Sequence, residues 1–334
     1  MRLHAGSAPA RRALGAGLIC ALALLHVQLA SAQAFPSRPI RFVVPFAPGG
    51  PADIAARTVA SKATETLGQP MVIDNRPGGG GIAGSEIVAK AKPDGHTVLL
   101  CSTSVLVFNP IVMPNVPYDP LRDFTHLSLI MSAPYLLLVH PAFPAKDAKE
   151  LIAIAKTKTN AGGLNFGSPG QGSAAHLTAE RFKSLAQVPM THVPYKGSGP
   201  AAIDLMAGQI DLVFESIASA LPHVNAGRLR ALGISTLERF ALTPQFPTLH
   251  ESGVPGFQSA SWQGMCGPPG MPKAIISALN RAIAQAVRAP ETRERLAAQG
   301  AQAVGSSPEE FLAFVKSEIP RWAKAIRESG AKVQ

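Results

Sequence analysis

Short apolar runs alternate with longer, helix-spaced segments along most of the chain. The spacing predicts strands over residues 40–46, 71–74 and 97–101, with helices over 52–67 and 82–91 between them. Gly68 is placed to stop the first helix, and glycine-rich turns fill 47–51 and 77–81. After a proline-studded stretch over 109–120 come apolar runs over 127–131 and 135–140, then a helix over 149–156, a strand over 164–167 and a helix over 174–186. Further strands are expected over 191–194, 211–214 and 230–235, with helices between them. A second Pro- and Gly-rich region, 245–256, leads to a late strand over 259–266 and three closing helices. Their starts are marked by Pro272, by Pro290 and by the capping box Ser307-Pro308-Glu309-Glu310. Pro320 is expected to kink the last helix near Trp322.

Strands and helices alternating at these lengths predict an α/β protein whose mostly parallel sheets are flanked by helices. The irregular stretches near 110–135 and 245–258 separate an outer pair of segments from an inner one, as two crossings between lobes would. The expected division is a first lobe built from 35–132 and 252–334, and a second lobe from 133–251. Ligands bind between such lobes, at the carboxyl ends of the strands.

Residues 1–34 differ in composition from the rest. Arg2, Arg11 and Arg12 precede an apolar run over 13–25, and no acidic residue appears before Asp53. That is the layout of a secretory signal, with A-x-A cleavage sites ending at Ala32 and Ala34. The apolar run is too short for a membrane span, and Ile19 before Cys20 does not suit a lipid attachment site. A periplasmic location is expected. The leader carries three of the 31 basic residues and none of the 21 acidic ones, leaving 28 against 21, a net +7. Such a balance can favour acidic partners. Nucleic acid is not expected, because no basic run interleaves with aromatics. Cys101 and Cys266 remain after cleavage. Two cysteines make no framework, and both are expected to be buried free thiols, although an oxidising compartment permits a bridge. No Cys/His spacing supports a metal site, and no cofactor is expected.

Four loops after predicted strands are small and rich in amides: 47–50, 101–104, 167–173 and 195–199. Each can aim backbone N–H groups at one point, and a loop that leads into a helix adds the positive end of the helix dipole. A bound anion is the ligand this chemistry suits. Ser102, Ser104 and His176 are placed among the ligand-facing residues, and Lys196 is the one fixed cation in these loops. His176 also has Ser173 and Glu180 within one helical turn, yet such a residue more often packs or bonds a loop carbonyl than catalyses, and no catalytic residue is assigned.

The run Pro45-Phe46-Ala47-Pro48-Gly49-Gly50-Pro51-Ala52-Asp53 with Ala56-Arg57, then Asn75-Arg76-Pro77-Gly78 and Lys92-Pro93-Asp94-Gly95, resembles the substrate-binding proteins of tripartite tricarboxylate transporters, the Bug family. The blocks continue in order through Phe166-Gly167-Ser168-Pro169-Gly170, His176-Leu177, Glu180-Arg181-Phe182, Val193-Pro194-Tyr195-Lys196-Gly197, and Glu251-Ser252-Gly253-Val254-Pro255-Gly256-Phe257 with Trp262. The resemblance implies a two-lobed periplasmic binding protein, the Venus-flytrap fold, acting as a monomer beside the membrane subunits of a transporter. It implies a small carboxylate ligand gripped by Phe46, Ala47, Pro48, Gly49, Gly50 and Asp53 of the first loop. Facing them it implies Ser168, Gly172, Ser173, Tyr195, Lys196, Gly197 and Glu215. Ala47, His96, Glu215 and the Cys266-Gly267 pair depart from the usual family pattern.

Enzyme readings fare worse. Gly79, Gly81 and Gly84 fit G-x-G-x-x-G, but the motif follows the second strand and lacks an acidic ribose ligand about 20 residues on. No G-x-S-x-G elbow occurs for a serine hydrolase. A ligand sensor that contacts a membrane kinase remains the alternative to transport.

Overall fold

The apolar runs of the amino-terminal third form parallel strands because both faces of each strand are covered. The computed structural model describes residues 35–329 apart from 114, 159–162 and 196, so the expected leader lies outside the described residues. The order begins β1 (Ile40–Val44), α1 (Pro51–Leu67), β2 (Met71–Asn75), α2 (Ile82–Ala89) and β3 (Thr97–Ser102). A wide helical turn over Ser104–Phe108 runs into α3 (Asn109–Val112), where the prolines of the sequence predicted irregular chain. Next come β4 (Thr125–Val139), α4 (Ala148–Thr157), β5 (Leu164–Ser168), α5 (Ala174–Ala186), β6 (Met190–Pro194), α6 (Ser198–Met206), β7 (Leu212–Ser216), α7 (Ile217–Asn225) and β8 (Arg230–Ile234). The chain closes with β9 (Ala260–Gly267), α8 (Lys273–Arg288), α9 (Pro290–Ala298), β10 (Gln302–Ala303) and α10 (Pro308–Ser329), which contains Pro320. None of the described helices is long and apolar enough to cross a membrane.

Two parallel triplets, β2-β1-β3 and β6-β5-β7, carry the outer edges of the sheets. Between them lie antiparallel strands. The expectation of two separate strands over 127–131 and 135–140 is corrected here: β4 is one strand of 15 residues shared by both sheets. Its first part pairs with β9 as far as Pro134, opposite Ala260, and from Tyr135 onward it pairs with β7 and β8. Pro134 cannot donate to a ladder, yet the chain stays extended through it.

A compact hydrogen-bond knot fastens the point where the sheets meet. The Tyr135 N–H donates to Ser235 Oγ at 2.8 Å, the Ser235 N–H to the Tyr135 carbonyl at 2.9 Å, and the Ser259 N–H to the Ser235 carbonyl at 2.9 Å. Ser235 and Ser259 are fully buried, so these bonds are made away from water.

Each sheet is packed on both faces. In the first, Ala55, Ala56 and Val59 of α1 meet Leu279 and Ile283 of α8 over one face. On the other, Trp262 of β9 packs with Phe311 and Val315 of α10 and with Phe108. The indole N–H groups of Trp262 and Trp322 both donate to buried Glu318, at 3.4 and 3.1 Å. Leu177 of α5 joins this cluster, tying the second unit to the closing helix.

Cys101 and Cys266 are not free thiols. They form a disulfide between adjacent antiparallel strands, with Cα atoms 6.0 Å apart and a sequence separation of 165. A bridge closing so long a loop restricts the unfolded chain strongly. The Cys101→Ser/Cys266→Ser double variant is expected to lose about 2–4 kcal/mol of unfolding free energy. Urea titrations compared with wild type, together with thiol counting on the denatured unreduced protein, check this; two free thiols in wild type would contradict the bridge.

Candidate functional site

The loops that follow β1, β5, β6 and β7 each end where a helix begins, and those helix starts meet at a cavity of about 420 Å³ between the two sheets. Pro51 comes from the start of α1, Ala174 and Ala175 from α5, Ser198 from α6, and Ala218 and Ser219 from α7. The first-turn N–H groups of a helix have no intrahelical acceptor, and its N-terminus carries positive partial charge. The side-chain caps leave much of this in place. Ser173 Oγ takes the His176 N–H at 3.2 Å and Ser216 Oγ takes the Ser219 N–H at 3.4 Å, while α1 and α6 follow Gly50 and Gly197 without a side-chain cap. Strand residues Met131, Ala133, Tyr135, Ser261 and Gln263 complete the wall with Gln299. No Lys or Arg is among these described lining residues. What these described residues offer an anion is backbone dipoles rather than fixed cations.

A larger hollow of about 540 Å³ lies on the first sheet's side, near the starts of α8 and α10. Its rim carries Glu309, and the α10 cap is closed reciprocally: the Glu310 N–H donates to Ser307 Oγ and the Ser307 N–H to Glu310 Oε2. Lys273, at the uncapped start of α8, also lines this hollow, but the helix starts of α1, α5, α6 and α7 do not reach it.

The loop 46–50 is held from behind. Asn75 Nδ2 donates to the Phe46 carbonyl at 3.1 Å and to Asp53 Oδ1 at 2.9 Å, while Asp53 Oδ2 accepts from the Gly49 N–H and from Arg57 Nε, each at 2.9 Å. Burial alone would raise the Asp53 pKa, but the bonds from Arg57, Gly49 and Asn75 outweigh it and hold it at about 2. Asp53 thus acts as a permanent anion bracing the loop. Gly49 has φ +84°, which a side chain would resist. Gly50 is extended, at φ −80° and ψ 170°.

The loop 168–173 is braced by aromatic stacking. His176 and His192 stack 3.8 Å apart, with Phe166 against His192 at 4.9 Å. Ser168 Oγ lies 2.6 Å from His192 Nε2, and the Gly172 N–H donates to His176 Nδ1 at 3.0 Å. His176 therefore packs, one of the two roles expected of it, and its bond is to a loop N–H rather than to a loop carbonyl. Burial, with His192 and Lys183 adding to it, lowers its pKa to about 4.

Ser173 and Glu215 line the cavity. Phe46, Ala47, Pro48, Gly49 and Gly50 lead up to it at Pro51; Ser168, Gly172, His176 and Asp53 stand behind the loops. Tyr195 turns away, its hydroxyl donating to Asp204 at 2.7 Å, and burial first and Asp204 second push its pKa up to about 12. Gly197 caps α6 and donates its N–H to the Pro169 carbonyl at 3.1 Å. Ser102 accepts from the Val105 N–H at 3.4 Å and pairs in the sheet with Gln263; neither it nor Ser104 lines the cavity. Lys196 lies outside the described residues. Among the described residues no His, Cys, Asp and Glu cluster could hold a metal ion.

Beyond the loops singled out in the sequence, the cavity wall takes in Met131, Ala133, Tyr135, Ala174, Ala175, Ser216, Ala218, Ser219, Ser261, Gln263 and Gln299. Two signals were present: Ser216, three residues before Ser219 at the end of a strand, marks another helix start, and Gln263 is a polar residue inside an otherwise buried strand. The glycines of the G-x-G-x-x-G run serve packing. A Cβ on Gly84 would lie 2.8 Å from the Pro45 Cβ, and one on Gly81 2.9 Å from Val105.

The family model described as the tripartite tricarboxylate transporter family receptor matches residues 55–331. BugT of Bordetella pertussis is 38% identical over 305 residues, covering 91% of this chain and 93% of BugT. Among solved structures, MatC of Rhodopseudomonas palustris with bound malate is 36% identical, covers 87% of this chain and 100% of its own, and superposes with a TM-score of 0.69. Another protein of that organism, solved with adipate, is 35% identical, covers 89% of this chain and 99% of its own, and gives 0.73.

The buried histidine sets a pH dependence. Its folded pKa of about 4 lies below the ordinary imidazole value of 6.5, so the unfolded chain takes up the proton first. The stability contribution is complete above pH 6.5 and is lost as pH falls toward about 4, by about 3 kcal/mol at most. Urea titrations at pH 7.5 and 4.5 are expected to show a smaller loss in His176→Gln than in wild type; an equal loss would assign the effect to other groups.

Proposed function

The chain belongs to the tripartite tricarboxylate transporter receptor family, periplasmic solute-binding proteins rather than enzymes, and from that premise we propose that it captures a small carboxylate between its two sheets. In this reading it delivers the acid to the integral membrane subunits of a tripartite tricarboxylate transporter. The leader, residues 1–34, directs export, and the segments 35–132 and 252–334 close on 133–251 around the ligand. The observation that carries the proposal is the convergence of four helix starts, those of α1, α5, α6 and α7, on one cavity.

The physical case is one of matched charge without excess. A carboxylate carries a full negative charge and accepts several hydrogen bonds, and first-turn amides supply donors already oriented at no further entropic cost. Malate in MatC and adipate in the other relative are acids of the same class, which supports the assignment. The cavity has room for a short diacid with bridging water. Asp53 and His176 then serve as positioning residues, fixing the two loops whose amides meet the ligand.

A thermal-shift and calorimetric panel of mono-, di- and tricarboxylates is expected to yield at least one binder that raises the melting temperature. Its methyl ester is expected to bind at least about tenfold more weakly, because the charge-assisted bonds are lost. Equal affinity for acid and ester would remove the anion site. Gly50→Val tests the location. The backbone there is extended, and an added Cβ meets only the Ala47 carbonyl oxygen, at 4.0 Å, so the unliganded melting temperature is expected to hold while binding is lost. Normal affinity in Gly50→Val would move the carboxylate to the 168–173 loop alone.

A further inference from the structure

Strand β9 carries a side chain that the protein itself does not satisfy. Gln263 is 7% exposed and lines the cavity, and its Oε1 is buried without a hydrogen-bond partner. A buried amide oxygen that has given up water without gaining a donor is costly to the fold. The position is nevertheless firmly set. Gln263 pairs with Ser102 of β3 on one side and with Met131 of β4 on the other, and the neighbouring Trp262 is locked in the opposite face by Phe311 and Glu318. Strand alternation puts Gln263 on the same face as Ser261, which also lines the cavity.

None of the described groups nearby donates to Gln263 Oε1. Glu215 lines the same cavity, and Tyr135 has its hydroxyl engaged with Ser261 near the Glu215 carboxyl. Helix starts supply donors for a carboxylate; Gln263 Oε1 supplies an acceptor that a carboxylate cannot use, while Glu215, its pKa raised by burial, already accepts the Ser216 N–H. A ligand matched to both ends has an acid group and, close to it, a hydrogen-bond donor.

We propose that Gln263 Oε1 accepts a hydrogen bond from a hydroxyl or amino group of the bound acid, so that the cleft selects hydroxy- or amino-substituted carboxylates over the unsubstituted acid of equal length. This rests on the carboxylate-binding reading and narrows its substrate class. A site holding an otherwise unpaired polar group rejects the analogue that lacks the matching partner more strongly than an apolar site rejects a missing methylene.

The test uses acids paired by length: succinate with malate and aspartate, glutarate with 2-hydroxyglutarate and glutamate, adipate with 2-aminoadipate. Affinities are measured by calorimetry on wild type and on Gln263→Met, which keeps the length of the side chain and removes the acceptor. Wild type is expected to prefer a substituted acid at least about tenfold over its unsubstituted partner. In Gln263→Met that preference is expected to disappear, with the unsubstituted acid binding within about threefold of its wild-type affinity. Equal wild-type affinity within every pair overturns the proposal, as does a preference that survives the substitution. An equal loss of both members of a pair in Gln263→Met also overturns it, because the amide N–H would then be holding the shared carboxylate. If Gln263→Met does not fold, the wild-type ratio decides the matter by itself. Failure of every acid to bind wild type would instead remove the carboxylate reading, and this proposal with it.

Discussion

One strand shared by two sheets governs the molecule. Because β4 runs from Thr125 to Val139 without a break, the same backbone that completes the first sheet against β9 starts the second against β7 and β8. The relative placement of the sheets is then fixed locally by the bonds among Tyr135, Ser235 and Ser259, all shielded from water. From this follow the direction in which each parallel triplet faces and the point at which its helices begin. The disulfide between β3 and β9 reinforces the same region from the first-sheet side, restraining the neighbour of β4 through its partner strand.

The electrostatics of the cleft follow from that placement. Four helix starts that would each be an ordinary solvated terminus become a shared field when brought within one cavity. Dipoles of this kind are fixed by backbone geometry and need little reorganisation when an anion arrives. Side chains of high charge are used differently. Asp53 and Arg57 form an ion pair that is turned inward to the loop, so that its effect on the ligand comes through the orientation of the Gly49 amide.

The same division of labour explains the residues that most resemble catalysts. His176, His192, Ser168 and Glu180 would make a plausible proton relay on paper. In the structure the two imidazoles stack on each other and on Phe166, His176 Nδ1 is occupied by the Gly172 N–H, and burial keeps the ring neutral. A neutral imidazole held as an acceptor shapes a loop, and nothing in the arrangement presents a nucleophile to the cavity.

The sequence by itself determined the local structure and the chemical theme. Alternation of apolar runs and helix-spaced segments located nearly every strand and helix, with the α5 bounds 174–186 met at both ends, because those patterns depend on neighbours within a few residues. The glycine-rich loops announced amides for an anion. What remained hidden was whatever depends on pairing across long stretches of chain. The continuity of β4 through Pro134, the adjacency that joins Cys101 to Cys266, and the meeting of Pro51 with Ala174, Ser198, Ala218 and Gln263 are set by strand register and helix packing. Even where the loop residues were named in advance, their roles were divided only by the fold, with Ser173 and Glu215 facing the cavity while Asp53 and His176 support it. A side chain's type limits what it can bond, but its neighbours in space decide which of those bonds it makes.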